Sequence, residues 1–280
     1  MEYISFEFMQ QVAAVSELAG KAILEVYNSG ESFEVTTKQD DSPVTKADHL
    51  AHEIICRELR AFSDYPILSE EGDAIDFEER RQWRNYWLVD PLDGTREFID
   101  RNGDFTVNIA LVTDHVARLG VIFAPDKNQL YVGSPQIGAF KRVMAELWEP
   151  IQAQKIVLRE ARDLPVRLLG SRRYGLDQLR EAMLHIEDRF GAKELLSVGS
   201  ALKFCLVADG QADCYARFGP TCEWDTAAGQ AILESAGGQV LDKNGQPFRY
   251  NQKESLINGD FWALGDPDER WLQIIKQIHQ

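Results

Sequence analysis

The sequence predicts an α+β protein of stacked sheets and helices, an α+β half followed by a layered α/β half. Two observations carry this. Between Phe105 and Gly133, three apolar strand-like runs follow one another with only short turns between them. From Val166 onward, strand-like and helix-like segments alternate. The 280 residues suffice for one large domain or two ordinary ones, and for a sizeable core.

The elements follow in order. Phe8, Val12, Val15, Leu18, Ala22 and Val26 repeat at helical spacing, which predicts a helix from Phe6 to Tyr27 ended by Gly30. A strand from Phe33 to Thr37 and a polar turn from Gln39 to Pro43 come next. Thr45-Lys46-Ala47-Asp48 reads as a capping box opening a helix to about Phe62. Pro66 to Leu68 and Tyr86 to Val89 are short buried strands that run straight into carboxylates. Phe105–Val112, Ala117–Ala124 and Gln129–Gly133 form the meander, turning at Thr113-Asp114-His115 and Pro125-Asp126-Lys127. Periodicity is weak from Lys141 to Leu164, which makes this the expected boundary between a metal-binding half, 1–150, and a substrate-specificity half, 151–280. Strands near 166–170, 195–198, 214–216 and 239–241 then alternate with helices near 176–190, 201–209 and 225–236. A final helix closes the chain.

The formal net charge of −15 leaves no basic surface for nucleic acid or anionic lipid. An anionic substrate therefore needs cations supplied locally, by metal ions or by a few placed Lys and Arg. No apolar run is long enough to span a bilayer. Met1-Glu2-Tyr3 does not resemble a secretory signal. The four cysteines form no Cys-x-x-Cys pair and read as reduced thiols of a cytoplasmic protein. His49 and His52, three apart, read as solvent-facing residues of the second helix.

The sharpest segment is Trp87-Leu88-Val89-Asp90-Pro91-Leu92-Asp93-Gly94-Thr95. A buried strand ends at Asp90, Pro91 fixes the backbone, and Asp93 can point back into the same space. Gly94 permits an unusual backbone angle or a close approach to a ligand. Two carboxylates and the Leu92 carbonyl make a hard-oxygen site of the kind Mg²⁺ prefers. Alone, the same spacing also fits an Asx turn, with Asp90 and Thr95 as helix caps. Glu70 at another strand end and Asp225 at a helix start add further acids. Acids brought together without a cation repel one another, and a divalent metal relieves that repulsion.

Asp90-Pro91-Leu92-Asp93-Gly94-Thr95, with Glu70 upstream and Trp224-Asp225-Thr226-Ala227-Ala228-Gly229 downstream, resembles the inositol monophosphatase superfamily of Mg²⁺-dependent, Li⁺-sensitive phosphatases. Within it, Tyr86–Ile99, Arg101–Val112, Gly199–Ala208 and Arg217–Gly229 look like the CysQ type of 3′(2′),5′-bisphosphate nucleotidase. The resemblance runs from the first helix to about Gly238. It implies a layered α-β-α-β-α sandwich. It implies two or three Mg²⁺ ions held by Glu70, Asp90, the Leu92 carbonyl, Asp93 and Asp225. Asp48 and Thr95 would orient the attacking water, with Glu70 beside them.

The resemblance also implies a substrate. Leu92, Asp93, Gly94, Thr95 and Asp225 would face the phosphate that leaves. Ser200, Lys203 and Arg217 would hold the phosphate that stays, although a surface Lys and Arg fit the sequence equally well. The implied reaction removes the 3′-phosphate of adenosine 3′,5′-bisphosphate to give AMP. 3′-Phosphoadenylyl sulfate would be a further substrate, tying the chain to sulfate assimilation. Thr95-Arg96-Glu97 and Leu202-Lys203-Phe204 depart from inositol monophosphatases, which leaves an inositol or sugar monophosphatase as the alternative enzyme. A non-catalytic metal-binding regulator of the same fold is the third reading. The implied state is a monomer or homodimer in the cytoplasm, with a peripheral place on the inner membrane's cytoplasmic face. Three features depart from the relatives: Arg173-Tyr174 after Ser171-Arg172, Glu223 as an extra acid near the metal, and the segment Phe261–Gln280, read as a docking helix.

Overall fold

A computed structural model describes residues 4–29, 35–37, 43–144, 146–171 and 173–279. In chain order the elements are α1 (Phe6–Tyr27), β1 (Val35–Thr37), β2 (Pro43–Thr45), α2 (Lys46–Arg60), β3 (Ile67–Ser69), α3 (Phe77–Arg80), β4 (Asn85–Asp93) and α4 (Thr95–Ile99). The meander follows as β5 (Thr106–Thr113), β6 (Val116–Ala124), β7 (Gln129–Ser134), β8 (Gly138–Val143) and β9 (Glu149–Ile151). Then come α5 (Ile156–Glu160), β10 (Val166–Leu169), α6 (Leu176–Phe190), β11 (Lys193–Leu196), α7 (Leu202–Ala208), β12 (Cys214–Arg217), α8 (Glu223–Ser235), β13 (Gln239–Asp242), β14 (Phe261–Leu264) and α9 (Glu269–Ile278).

Strands β3 to β9 form one sheet in sequence order, antiparallel except for the parallel pair β3 and β4. The second sheet has the order β11-β10-β12-β14-β13, with β14 antiparallel to both neighbours. Helices α1 and α2 bury Val12, Ile23, Ile55 and Leu59 against one face of the first sheet. Its other face packs on α7 and α8, in a core shared with the second sheet. Beyond the second sheet lie α6 and α9. The stack is α-β-α-β-α.

Local chemistry explains the boundaries that matter. The Ser5 hydroxyl accepts from Phe8 N at 3.1 Å and starts α1. Asn28 caps its other end, two residues before the expected Gly30, which lies outside the described residues. Also outside are Phe33 and Glu34 of the first expected strand, most of the turn 39–43, and Arg172. Strand β4 runs past Val89 to Asp93 because the sheet absorbs Pro91 as a bulge. Asp90 still pairs with Asn108, and pairing resumes at Asp93 and Thr106.

Elements missed in the sequence and one overturned expectation stand out. Weak periodicity between Lys141 and Leu164 concealed β8, β9 and α5. β8 and β9 are the outer strands of the sheet, with mostly half-buried or exposed residues, so the alternation that marks a strand is lost. The segment Phe261–Gln280 is no docking helix. β14 is a fully buried inner strand, and α9 buries Trp271, Ile274 and Ile275 in the outer core. No described helix is long and apolar enough to cross a membrane.

Candidate metal centre and substrate cleft

Three segments distant in sequence deliver carboxylates to one place. Glu70 follows β3, where its N–H continues the ladder onto Val89 O at 3.1 Å. Asp90 lies in the bulged end of β4, and Asp225 in the first turn of α8. Carboxylate oxygens of Glu70, Asp90 and Asp225 lie within 4.8 Å of one another. Asp90 is 1% exposed. Its own Oδ1 accepts from Leu92 N at 3.0 Å, the Asx turn read as the alternative, so turn and cluster coexist. Burial, then the charges of Glu70, Asp93 and Asp225, hold its carboxyl well above the ordinary range. Burial, then Asp93 and Glu70, do the same to Asp225.

Asp93 stands at the edge of this group. Its Oδ2 accepts from Ala201 N at 2.5 Å and from Asn108 Nδ2 at 3.4 Å. Burial raises its pKa to about 6, against the Lys203 charge and these hydrogen bonds. Gly94 follows with φ +94°, and a Cβ there would stand 3.1 Å from Asp104 O and 3.4 Å from Ser200 Cβ. A side chain would thus strain the backbone and crowd the turn carrying Ser200.

Asp48 and Thr95 meet across the same space. Asp48 Oδ2 accepts from Thr45 N at 2.7 Å and Thr45 Oγ1 at 2.6 Å, completing the capping box of α2. Asp48 Oδ1 faces Thr95 Oγ1 at 3.2 Å, and the same hydroxyl lies 3.4 Å from Leu92 O. Burial is the main reason the Asp48 carboxyl is pushed up to about 6.

A cleft opens beside the acids. Asp93, Gly94, Ser200, Lys203, Tyr174 and Arg217 line it, with Asp225 at one side. Lys203 Nζ donates to Ser200 O at 2.6 Å and lies 5.1 Å from the centre of the Tyr215 ring. Arg217 Nη2 donates to Pro220 O at 2.7 Å and its guanidinium covers Tyr174 at 5.2 Å, but its buried Nε has no partner among the described residues. Ser200 holds the left-handed φ of 47°.

A model of the inositol monophosphatase family matches residues 7–280. The chain belongs to that family. It is 45% identical over 254 residues to the Salmonella typhimurium 3′(2′),5′-bisphosphate nucleotidase CysQ, covering 90% of this chain and 98% of the relative. The Haemophilus influenzae protein of the same name is 36% identical over 271 residues, 96% of each chain. The crystal structure of CysQ from Bacteroides thetaiotaomicron, a bacterial member of the family, superposes with a TM-score of 0.81 at 38% identity, over 95% of this chain and 100% of that one. An inositol monophosphatase of Thermotoga maritima shares the fold at 23% identity, with a TM-score of 0.73 over 95% of each chain. The five-layer stack is thus the family fold, and the match reaches the last residue, through α9.

The family implies a divalent cation, and the donor set fits one. The donors are all hard oxygens, and burial and repulsion penalise the metal-free charge of Asp90 and Asp225. Several side chains at the site went unread in the sequence. Asn108 was visible as a polar residue in the apolar run Val107–Val112, opposite Asp90. Asp104, which accepts from Gly199 N at 3.0 Å and pairs with Lys127 at 3.1 Å, had no such signal.

Two placements, those of Glu223 and His52, differ from expectation. Glu223 turns away from the acids and accepts from Asn251 N at 3.0 and 2.9 Å, because successive residues of a helix point in different directions. Arg173 lines the cleft but pairs with Glu97 at 3.6 Å and Asp100 at 3.3 Å of the α4 region. His49 is exposed, but His52 is half-buried with Nδ1 2.9 Å from Ser69 Oγ, since a residue three places on lies over the end of β3. Cys56, Cys205 and Cys214 are buried free thiols.

Proposed function

We propose that this chain is a Mg²⁺-dependent 3′(2′),5′-bisphosphate nucleotidase, hydrolysing the 3′-phosphate of adenosine 3′,5′-bisphosphate to AMP and phosphate. 3′-Phosphoadenylyl sulfate would be a further substrate, in sulfate assimilation. One observation carries the reading: an acid cluster and a cationic wall share one cleft. A phosphate that leaves needs the first, and a phosphate that stays needs the second. The names of the relatives support the same assignment.

Glu70, Asp90, the Leu92 carbonyl, Asp93 and Asp225 would hold two or three Mg²⁺ ions. When bound, the metal supplies charge neutralisation and a water of lowered pKa. The remaining steps belong to the protein's own groups. The capping box fixes Asp48 through Oδ2 and leaves Oδ1 to accept the Thr95 hydroxyl proton. The Thr95 oxygen can then accept from a water on its other side, so a proton moves from water to Asp48 in two short transfers. Leu92, Asp93, Gly94, Thr95 and Asp225 would surround the departing phosphate. Ser200, Lys203 and the Arg217 guanidinium would hold the other phosphate.

The division into a metal-binding half, 1–150, and a substrate-specificity half, 151–280, belongs to the same proposal, as do a cytoplasmic location, a monomer or homodimer, and inhibition by Li⁺. The test is product analysis after incubation with adenosine 3′,5′-bisphosphate. AMP and phosphate in equal amounts, with Mg²⁺ and not in excess chelator, are expected. Adenosine 3′-phosphate as product, or undiminished turnover in chelator, overturns the reading.

A further inference from the structure

Arg80, Glu223 and Asn251 are almost wholly withdrawn from solvent, at 2%, 1% and 1% exposure, and none belongs to the acid cluster. They form one network. Asn251 N donates to both oxygens of Glu223. Asn251 Oδ1 accepts from Arg80 Nη1 at 2.5 Å, while its Nδ2 donates to Arg80 O at 2.5 Å. Arg80 Nη2 reaches the carbonyls of Lys253, at 3.2 Å, and Glu254. The network therefore ties α3 and the loop after Tyr250 to the first residue of α8.

That loop also holds the helix backbone. Glu223 N donates to Leu256 O at 2.9 Å. Asn258 Nδ2 donates to Cys222 O at 2.8 Å and to Thr226 Oγ1 at 3.1 Å. Asp225 lies in the turn so held, with its Oδ2 pinned by Cys222 N at 2.8 Å. The direction of Asp225 thus follows from the seat of that turn. A carboxylate as deeply buried as Glu223 is costly, and hydrogen bonds from Asn251 N and the nearby charge of Arg80 offset part of that cost.

We propose that Glu223, Arg80 and Asn251 are positioning residues that set Asp225 for metal binding. The inference rests on the Mg²⁺ reading above. Groups that orient a metal ligand through hydrogen bonds contribute to affinity without touching the ion.

The test is Mg²⁺ binding by the whole chain, measured by calorimetry and by the Mg²⁺-induced rise in melting temperature. Glu223→Ala is expected to raise the Kd about tenfold or more. Glu223→Gln keeps an acceptor for Asn251 N and should lose less. Arg159→Met breaks the buried pair with Asp213 outside the site, so it should melt lower yet keep wild-type affinity. Asn251→Ala unlinks the Arg80 side chain and should weaken binding in the same direction. It carries the test if Glu223→Ala does not fold. Wild-type affinity in Glu223→Ala, or in Asn251→Ala should the former not fold, overturns the inference. So does an equal loss in Arg159→Met. A wild-type chain that binds no Mg²⁺ overturns the metal reading beneath it.

Discussion

At Asp48 the two carboxylate oxygens have different neighbours, Thr45 on one side and Thr95 on the other. Lys203 and Arg217 differ in a comparable way. Lys203 Nζ holds the Ser200 carbonyl, and its charge acts on Asp93, so it braces the acid cluster. Arg217 carries a buried Nε–H in the cleft without a partner among the described residues. Removing each should therefore have distinct consequences. Arg217→Ala should raise KM for adenosine 3′,5′-bisphosphate far more than it lowers kcat, because the retained phosphate is bound alike in ground and transition states. A charge-assisted hydrogen bond of about 1.5–3 kcal/mol corresponds to roughly one to two powers of ten in kcat/KM. Adenosine 3′-phosphate, with no second phosphate, should be little affected. Lys203→Ala should reduce turnover of both, and of the bisphosphate more, because it would lose a contact to the retained phosphate as well. Equal losses on both substrates in Arg217→Ala would show that it acts on the metal centre or on folding. At this scale the acids were legible, since Glu70, Asp90 and Asp225 each stand at an element end. Their partners were not. The Ala201 N–H on Asp93 and the Asn251 N–H on Glu223 are backbone donors, and any residue type but proline supplies one.

The elements bring the acids together. Asp90 and Asp225 come from different layers, and α8 must lie close on the first sheet for them to meet. Gly120 of β6 permits this: a Cβ there would stand 2.1 Å from Ala228 O and 2.9 Å from its carbonyl carbon. These are backbone atoms of α8, with no rotamer to yield. Gly120→Ala should therefore push the helix off the sheet and cost about 1–3 kcal/mol, the usual range for overpacking. A melting temperature lower by several degrees and a weaker Mg²⁺ affinity are expected, by differential scanning fluorimetry with and without the ion. An unchanged melting temperature would show that the layers are not in this contact. The bounds of α1 and α6 were readable because each has one apolar face. β8 and β9 were not, because their mostly half-buried or exposed residues do not alternate. The close approach at Gly120 was not readable either, since a strand glycine does not announce which helix lies over it.

For the whole molecule, the metal-free state carries a strain of like charges that depends on pH. Burial holds Asp90, Asp93 and Asp225 above the ordinary carboxylate range, Asp93 at about 6, and the charges of neighbouring acids in the cluster raise Asp90 and Asp225 further. The folded chain thus binds protons more tightly than the unfolded one. Their contribution to stability is complete below about pH 4, the unfolded value, and is lost as pH rises through the folded values. In chelator, the melting temperature at pH 8 should therefore lie below that at pH 5.5. Mg²⁺ should raise it more at pH 8, where protons no longer compete for the oxygens. A metal-free protein that melts higher at pH 8 would contradict the charge balance described. The layered architecture was foreshadowed by the meander and the later alternation. The second sheet's antiparallel inner strand, β14, was not, because strand order follows from packing between segments far apart in sequence. The central claim is that one cleft holds two phosphates, cleaving one and keeping the other. It is tested most directly by the specificity constants for adenosine 3′,5′-bisphosphate, inositol 1-phosphate and fructose 1,6-bisphosphate, measured side by side with Mg²⁺. Adenosine 3′,5′-bisphosphate should lead inositol 1-phosphate by at least about tenfold, the smallest value expected for one charged contact to the retained phosphate. Inositol 1-phosphate turned over as well or better would contradict it.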